Sequence, residues 1–306
     1  MKDANRHEPH GFCMVRAMIN IGLMVPFNGR PQRTMADVRA VAVHAESAGF
    51  NSVWFPEHVV FFQEYESKYP YTADGDPGFG KRQGVYDPLF AATVAACATE
   101  RLRVGTAVLI LPQRSPVVLA QEVVAVDHAS DGRLDLGIGI GWSSEEFSAL
   151  DVPWPQRGKR TDEYLDVLKA LWSDELVTFH GDYVNFDAVI AEPKPVQSPV
   201  PIWVGGGDAA MKRAAQRGTG WYGWSLLPEE IAPAMHTLDE ACEREGRDPA
   251  TMGRKIGLPF GGNSSDFARY LDAATQAGVS EVVIAVGVNA PQVHARIDEL
   301  MRPATV

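Results

Sequence analysis

The sequence predicts an α/β protein whose strand–helix units close into a (β/α)8 barrel, with insertions after the second strand and before the fifth. Two observations carry this. Short apolar runs alternate with longer amphipathic stretches about eight times in 306 residues, which suits a closed parallel barrel better than an open doubly wound sheet. The apolar runs are also continuous, as expected for strands covered on both faces.

In chain order, the strands are expected at 17–25, 50–55, 102–111, 133–140, 201–205, 219–224, 253–258 and 281–286. Helical patterns follow them at 34–48, 87–99, 115–129, 158–172, 208–217, 228–245, 264–277 and 291–300. Two stretches break the alternation. Residues 59–86 carry four tyrosines and the run Asp74-Gly75-Asp76-Pro77-Gly78. They leave the second strand on the face where such barrels hold their sites, so they read as a substrate lid or as decoration of the rim. Residues 174–200 read as a hairpin over Leu176 to Phe186 with Gly181-Asp182 at its turn, followed by a proline-rich return.

Composition limits what the chain does. With 45% hydrophobic and 22% charged residues it has the balance of a soluble globular protein, with one domain expected over 17–306 behind an N-terminal tail at 1–16. A net charge of −11 argues against nucleic-acid and anionic-membrane surfaces and leaves small molecules as the expected partners. Cys13, Cys97 and Cys242 are odd in number and widely spaced, which points to a reducing cytoplasm and not to a disulfide or zinc framework. The polar start of the chain is neither a signal peptide nor a membrane span.

Several residues are placed to do chemistry. His58 directly follows the second strand, so its imidazole is expected at the barrel mouth as an acid or base, or simply bonded to a neighbouring carbonyl. Residues 129–142 form a turn and a strand ending in alternating glycines. Gly139 and Gly141 either floor a planar ligand or close a strand. Gly205-Gly206-Gly207 precede a helix whose backbone N–H groups could receive a phosphate, although Asp208 would compete for them as an N-cap. Arg157 and Arg160 are alternative phosphate partners, or they pair with Asp162, Glu163 or Asp166. The Ser143-x-x-Glu146 spacing is that of a capping box, which accounts for both residues. Trp142 offers an aromatic wall that Trp221 and Trp224 could extend.

No GxGxxG after a strand, no GxxxxGK[ST], HExxH or GxSxG is present, and no carboxylate–histidine cluster has metal-ligand spacing. An aldolase would need a lysine at a strand end facing the site, whereas Lys255 begins its strand at the opposite end.

Five segments in order resemble the luciferase-like monooxygenase superfamily, within it the branch that uses the deazaflavin coenzyme F420. They are Ala48 to His58, Val104 to Pro116, Gly132 to Trp142, Gln156 to Glu163, and Pro201 to Gly207. The resemblance implies a TIM barrel, a flavin-type cofactor and a homodimer. It implies that Glu57 and His58 match the acid–histidine pair of the deazaflavin branch, and that the Thr106-Ala107-Val108 segment lies against the cofactor, with a non-prolyl cis bond at Ala107-Val108. Sugar-phosphate dehydrogenases of this branch carry a glutamate where this chain has Trp142, so a glucose-6-phosphate activity is not expected. The resulting expectation is an F420-dependent oxidoreductase passing a hydride to or from a small, largely apolar organic molecule. An FMN-dependent monooxygenase is the alternative, and a non-catalytic cofactor binder stands outside both.

Overall fold

A computed structural model describes residues 19–24, 34–78, 84–259, 264–286 and 290–301. The expected tail at 1–16 lies outside these residues, as do parts of the first strand and of the segment at 59–86.

Eight strand positions close into a parallel barrel. They are β1 (Asn20–Met24), β2 (Ser52–Phe55), a third position split into β3 (Arg103–Thr106) and β4 (Leu109–Ile110), and β5 (Leu134–Gly139). Beyond a two-stranded insertion, β6 (Val177–His180) and β7 (Asn185–Val189), come β8 (Ile202–Gly205), β9 (Gly220–Trp224), β10 (Gly253–Pro259) and β11 (Glu281–Ala285). The hydrogen-bonded order is β3-β2-β1-β11-β10-β9-β8-β5-β4, and pairing of β3 with β5 closes the ring. Register runs without slippage, for example Leu23 beside Ile284 and Ile256 beside Val282.

The expected single strand at 102–111 is the one strand that differs in kind. The cis peptide Ala107–Val108 lies between β3 and β4, so the ladder to β5 is interrupted there and resumes at Leu109.

Helices pack outside the ring, and their ends follow local chemistry. The first, α1 (Met35–Ala48), starts where Thr34 and Asp37 cap each other and stops at Gly49, whose φ of 93° is open to glycine. Then α2 (Pro88–Cys97) starts with proline in its first turn behind Asp87, whose carboxylate accepts from Leu89 and Phe90 N–H. The others are α3 (Pro116–Ala129), a short α4 (Ser144–Ala149), α5 (Arg157–Ser173), α6 (Asp208–Arg217), α7 (Pro228–Arg244), α8 (Ser264–Gln276) and α9 (Ala290–Met301). The α4 turn was expected only as a capping signature.

Two cores result. Aliphatic side chains such as Leu23, Val104, Leu136 and Val282 fill the layer between strands and helices. Inside the ring, Trp54 and Trp203 fill the N-terminal half, because Gly105 and Gly220 leave room where any Cβ would lie under 2.5 Å from an indole. Against these rings sits a charged cluster. Lys255 Nζ lies 2.7 Å from Asp135 and 2.6 Å from Glu281, and 4.6 and 4.1 Å from the Trp54 and Trp203 ring centres. Arg103 closes on Asp135 from the outside, and Trp54 Nε1 donates to Ser52 Oγ, which donates to Glu281. Burial alone would raise Asp135, but Lys255 and Arg103 outweigh it and hold the carboxyl below its ordinary value.

Candidate active site

At the C-terminal ends of the strands a cavity of about 900 Å³ opens between the barrel and the segment after β2. Residues the sequence assigned separately meet here. His58, Glu57, Ala107, Val108, Gly139, Gly141, Trp142, Arg157, Gly205, Gly206 and Gly207 all line it.

His58 is mostly buried, and its Nδ1 lies 3.2 Å from Glu146 Oε2. The other oxygen, Glu146 Oε1, accepts from Val59 N–H at 2.6 Å. The capping box is therefore only half formed. Ser143 Oγ accepts from Glu146 N–H at 3.2 Å, but the Glu146 carboxylate reaches across to the segment after β2 and not back to its own helix end. Sequence reasoning assigned Glu146 to the cap alone and missed this contact, whose partner lies 88 residues away.

Glu57, the acid of the expected acid–histidine pair, lines the cavity with its carboxylate bonded to the turn after the third strand position. Its oxygens accept from Arg114 Nε at 3.0 Å, from a second Arg114 nitrogen, and from Ile110 N–H. Both oxygens are thereby committed to bracing β4 and the turn that follows it. Burial pushes the Glu57 carboxyl up against the opposing pull of Arg114, while Arg114, between Glu57 and Asp87, is held above its ordinary value against its own burial.

The glycines act through what stands in place of their side chains. A Cβ on Gly139 or Gly205 would fall 2.7 or 2.8 Å from the Val108 methyls, so both glycines admit Val108 between adjacent strands. Gly141, at φ 76°, makes the same room for Phe147 and Ile110. Their backbones, with those of Ala107 and Val108, form the cavity floor. Gly207 is open, with nothing within 4 Å of where a Cβ would stand. It occupies the N-cap of α6 without a side-chain cap bond, and Asp208 lies one residue inside the helix, not at the cap.

The two arginines separate. Arg157, first in α5, stacks over Trp154 at 3.7 Å and donates from Nε to Gly141 O at 3.3 Å. Among the described residues it forms no ion pair, and burial lowers its pKa. Arg160 is away from the cavity, buried one turn later, and donates to Pro153 O at 2.8 Å and Pro155 O at 3.3 Å. Neither pairs with the acidic residues of its own helix. Asp162 and Asp166 bind Arg213 and Arg217 of α6, and Glu163 accepts three N–H groups of the hairpin turn.

Two further expected residues do not reach the cavity. Thr106 is fully buried and donates to Gly137 O at 2.6 Å. Trp221 donates to Gly206 O at 2.7 Å from behind the wall, while Trp224 lines it.

Aromatic rings form the remaining wall. Trp142 lies 6.0 Å from His58, 5.2 Å from Tyr65 and 5.1 Å from Tyr69, and Phe61 packs 5.0 Å from His58. Burial pushes the Tyr69 phenol up to about 12, so this wall is uncharged around neutrality. The segment carrying these rings is strapped to α4. Glu145 accepts from Glu66 N–H at 2.6 Å and Ser67 N–H at 2.9 Å, and the Ser67 and Ser144 hydroxyls meet at 2.8 Å. Among the described residues no cluster suits a metal ion, and no helix is long and apolar enough to cross a membrane.

A family model described as luciferase-like monooxygenase matches residues 19–300. The chain belongs to this family. An uncharacterized protein of Mycobacterium tuberculosis is 34% identical over 211 residues, covering 68% of this chain and 74% of its own. An F420-dependent glucose-6-phosphate dehydrogenase of Kineococcus radiotolerans is 33% identical over 225 residues, covering 70% of this chain and 60% of that protein. An FMNH2-dependent dimethylsulfone monooxygenase of Pseudomonas putida is 32% identical over 199 residues, covering 62% of this chain and 50% of that one. In fold, the chain is similar to an F420-dependent secondary alcohol dehydrogenase solved with an F420–acetone adduct, with a TM-score of 0.74 at 18% identity over 92% of this chain and 97% of that one.

Proposed function

We propose that this chain is an F420-dependent oxidoreductase that passes a hydride between the deazaflavin and a small, largely apolar carbonyl compound, alcohol or enone. The observation that carries the reading is one cavity holding His58 backed by Glu146, a backbone floor at 107–108 and 139–141, and Arg157, which forms no ion pair among the described residues. These residues fit such a cofactor. The floor suits a flat ring, and Arg157 and the uncapped start of α6 suit an anionic tail. When bound, the deazaflavin supplies or accepts the hydride.

In this reading His58 exchanges a proton with the substrate oxygen, Trp142, Phe61 and Tyr69 hold the apolar body and exclude water, and Glu57 keeps β4 in place. The aromatic wall favours an apolar body over a phosphorylated sugar. A cytoplasmic homodimer with one catalytic domain behind an N-terminal tail completes the proposal. The similarity to the dimethylsulfone monooxygenase keeps FMN as the second cofactor to test.

The test is quenching of tryptophan fluorescence by oxidised F420 and FMN at matched concentrations, since Trp142, Trp154 and Trp224 line the cavity. Tighter binding of F420 supports the proposal, tighter binding of FMN replaces it with the monooxygenase, and binding of neither ends both. The variant His58→Ala should keep the cofactor affinity within about twofold and lose roughly 10²-fold or more in turnover. Unchanged turnover would remove His58 from the chemistry.

A further inference from the structure

We infer that Glu146 is a positioning residue that sets His58 in the Nδ1–H tautomer, so that Nε2 is the nitrogen that exchanges the proton. This deepens the proposed function and rests on His58 being its acid–base group. An ionised carboxylate only accepts hydrogen bonds, and an imidazole nitrogen donates only when it carries a proton. Glu146 is 1% exposed, and its Oε1 is already committed to Val59 N–H at 2.6 Å. Its Oε2 lies 3.2 Å from His58 Nδ1. A carboxylate oxygen facing a bare Nδ1 would set two lone pairs against each other in a buried place, so the proton belongs on Nδ1. In the neutral ring Nε2 is then the basic nitrogen.

Glu146 is itself held in place. Ser143 Oγ accepts from its N–H, and the carboxylate bridges α4 to two successive residues after β2. Other charged groups nearby are engaged elsewhere. Glu57 is bound to Arg114, and Glu145 to the N–H groups of Glu66 and Ser67.

The isosteric change Glu146→Gln makes the inference testable. Val59 N–H requires an acceptor and takes the amide oxygen, which turns the amide NH2 toward His58 Nδ1. A donor there demands a bare Nδ1, so the substitution should move the proton to Nε2 without altering the shape of the site. A residue that only anchored the segment after β2 would leave the tautomer alone.

The experiment is a long-range ¹H–¹⁵N correlation spectrum of the His58 ring in the cofactor-free protein, at a pH where the ring is neutral. His58→Gln identifies the signal. Nδ1–H in the wild type and Nε2–H in Glu146→Gln are expected. Nε2–H in the wild type, or Nδ1–H kept in the variant, overturns the inference. Should the variant not fold, the wild-type spectrum decides alone. F420 and FMN quenching on the same samples should agree within about twofold. A protein that binds neither cofactor yet shows the tautomer reversal would end the proposed function, and with it the proton-exchange role of Nε2, while the setting of the His58 tautomer by Glu146 would stand.

Discussion

At the N-terminal end of the barrel Lys255, Asp135, Glu281 and Arg103 close on one another inside the ring, whereas at the opposite end His58 and Arg157 face a cavity walled by aromatic rings. Both ends bury charge beside indoles, Lys255 over Trp54 and Trp203 and Arg157 over Trp154. In the lower cluster every charge is answered within the protein. At the mouth Arg157 is answered, among the described residues, by a ring face and a carbonyl and by no carboxylate. Under the proposed function, the difference separates groups kept for folding from groups that would meet the cofactor.

The largest break should come from Lys255→Met, which strands Asp135 and Glu281 in the interior. Loss of one partner from a buried pair costs on the order of 3–5 kcal/mol. Urea unfolding should show that loss, and a cost below roughly 1 kcal/mol would mean that the cluster is not a stabilising unit.

Arg157→Ala should do the reverse. Stability should fall by no more than about 1.5 kcal/mol, from the lost ring contact and carbonyl bond, while F420 affinity falls about tenfold through loss of a charge-assisted contact. Tenfold is roughly 1.4 kcal/mol, read by the same quenching titration. Equal affinity in both proteins would remove Arg157 from the cofactor site.

The smallest effect concerns Glu145. Burial alone would raise its carboxyl, but hydrogen bonds from Ser67 and its own backbone outweigh that and bring it down to about 2. A group depressed on folding stabilises above its unfolded value, here 4.5, and loses that stabilisation as pH falls toward 2. Acid-stable protease should therefore cut the 56–78 segment progressively faster between those limits. In Glu145→Gln that rise should be flat, with cleavage already about fivefold faster above pH 4.5, as a loss of about 1 kcal/mol gives. A variant with the wild-type profile would show that another group holds the segment.

The barrel was legible because its strands are apolar throughout and its helices amphipathic, a contrast visible within a few residues. The break at Ala107–Val108 leaves no mark in hydrophobicity, and only the resemblance pointed to it. At the site, His58 and Arg157 were legible because strand and helix ends place them at the mouth. Arg160 misled because it shares a segment and a chemistry with Arg157, while the helix turns it onto Pro153 and Pro155. Glu57 and Glu146 were illegible for a common reason. Their partners, Arg114 and His58, stand 57 and 88 residues away, and closure of the barrel brings them together. For Glu146 the signal was present but ambiguous, since a Ser-x-x-Glu spacing can be satisfied locally by a capping box.

The tip of the hairpin β6–β7 is fastened by Glu163, which accepts from Asp182, Tyr183 and Val184 N–H, and by the Tyr183 hydroxyl, which donates to Gln156 at 2.7 Å. Glu163 stands on a helix that the barrel builds in any case, and among the described residues β6 and β7 pair with each other and with no strand of the ring. The hairpin is thus an appendage clipped to the scaffold. Its length can drift, or be grafted with a reporter peptide, without any strand of the ring having to move.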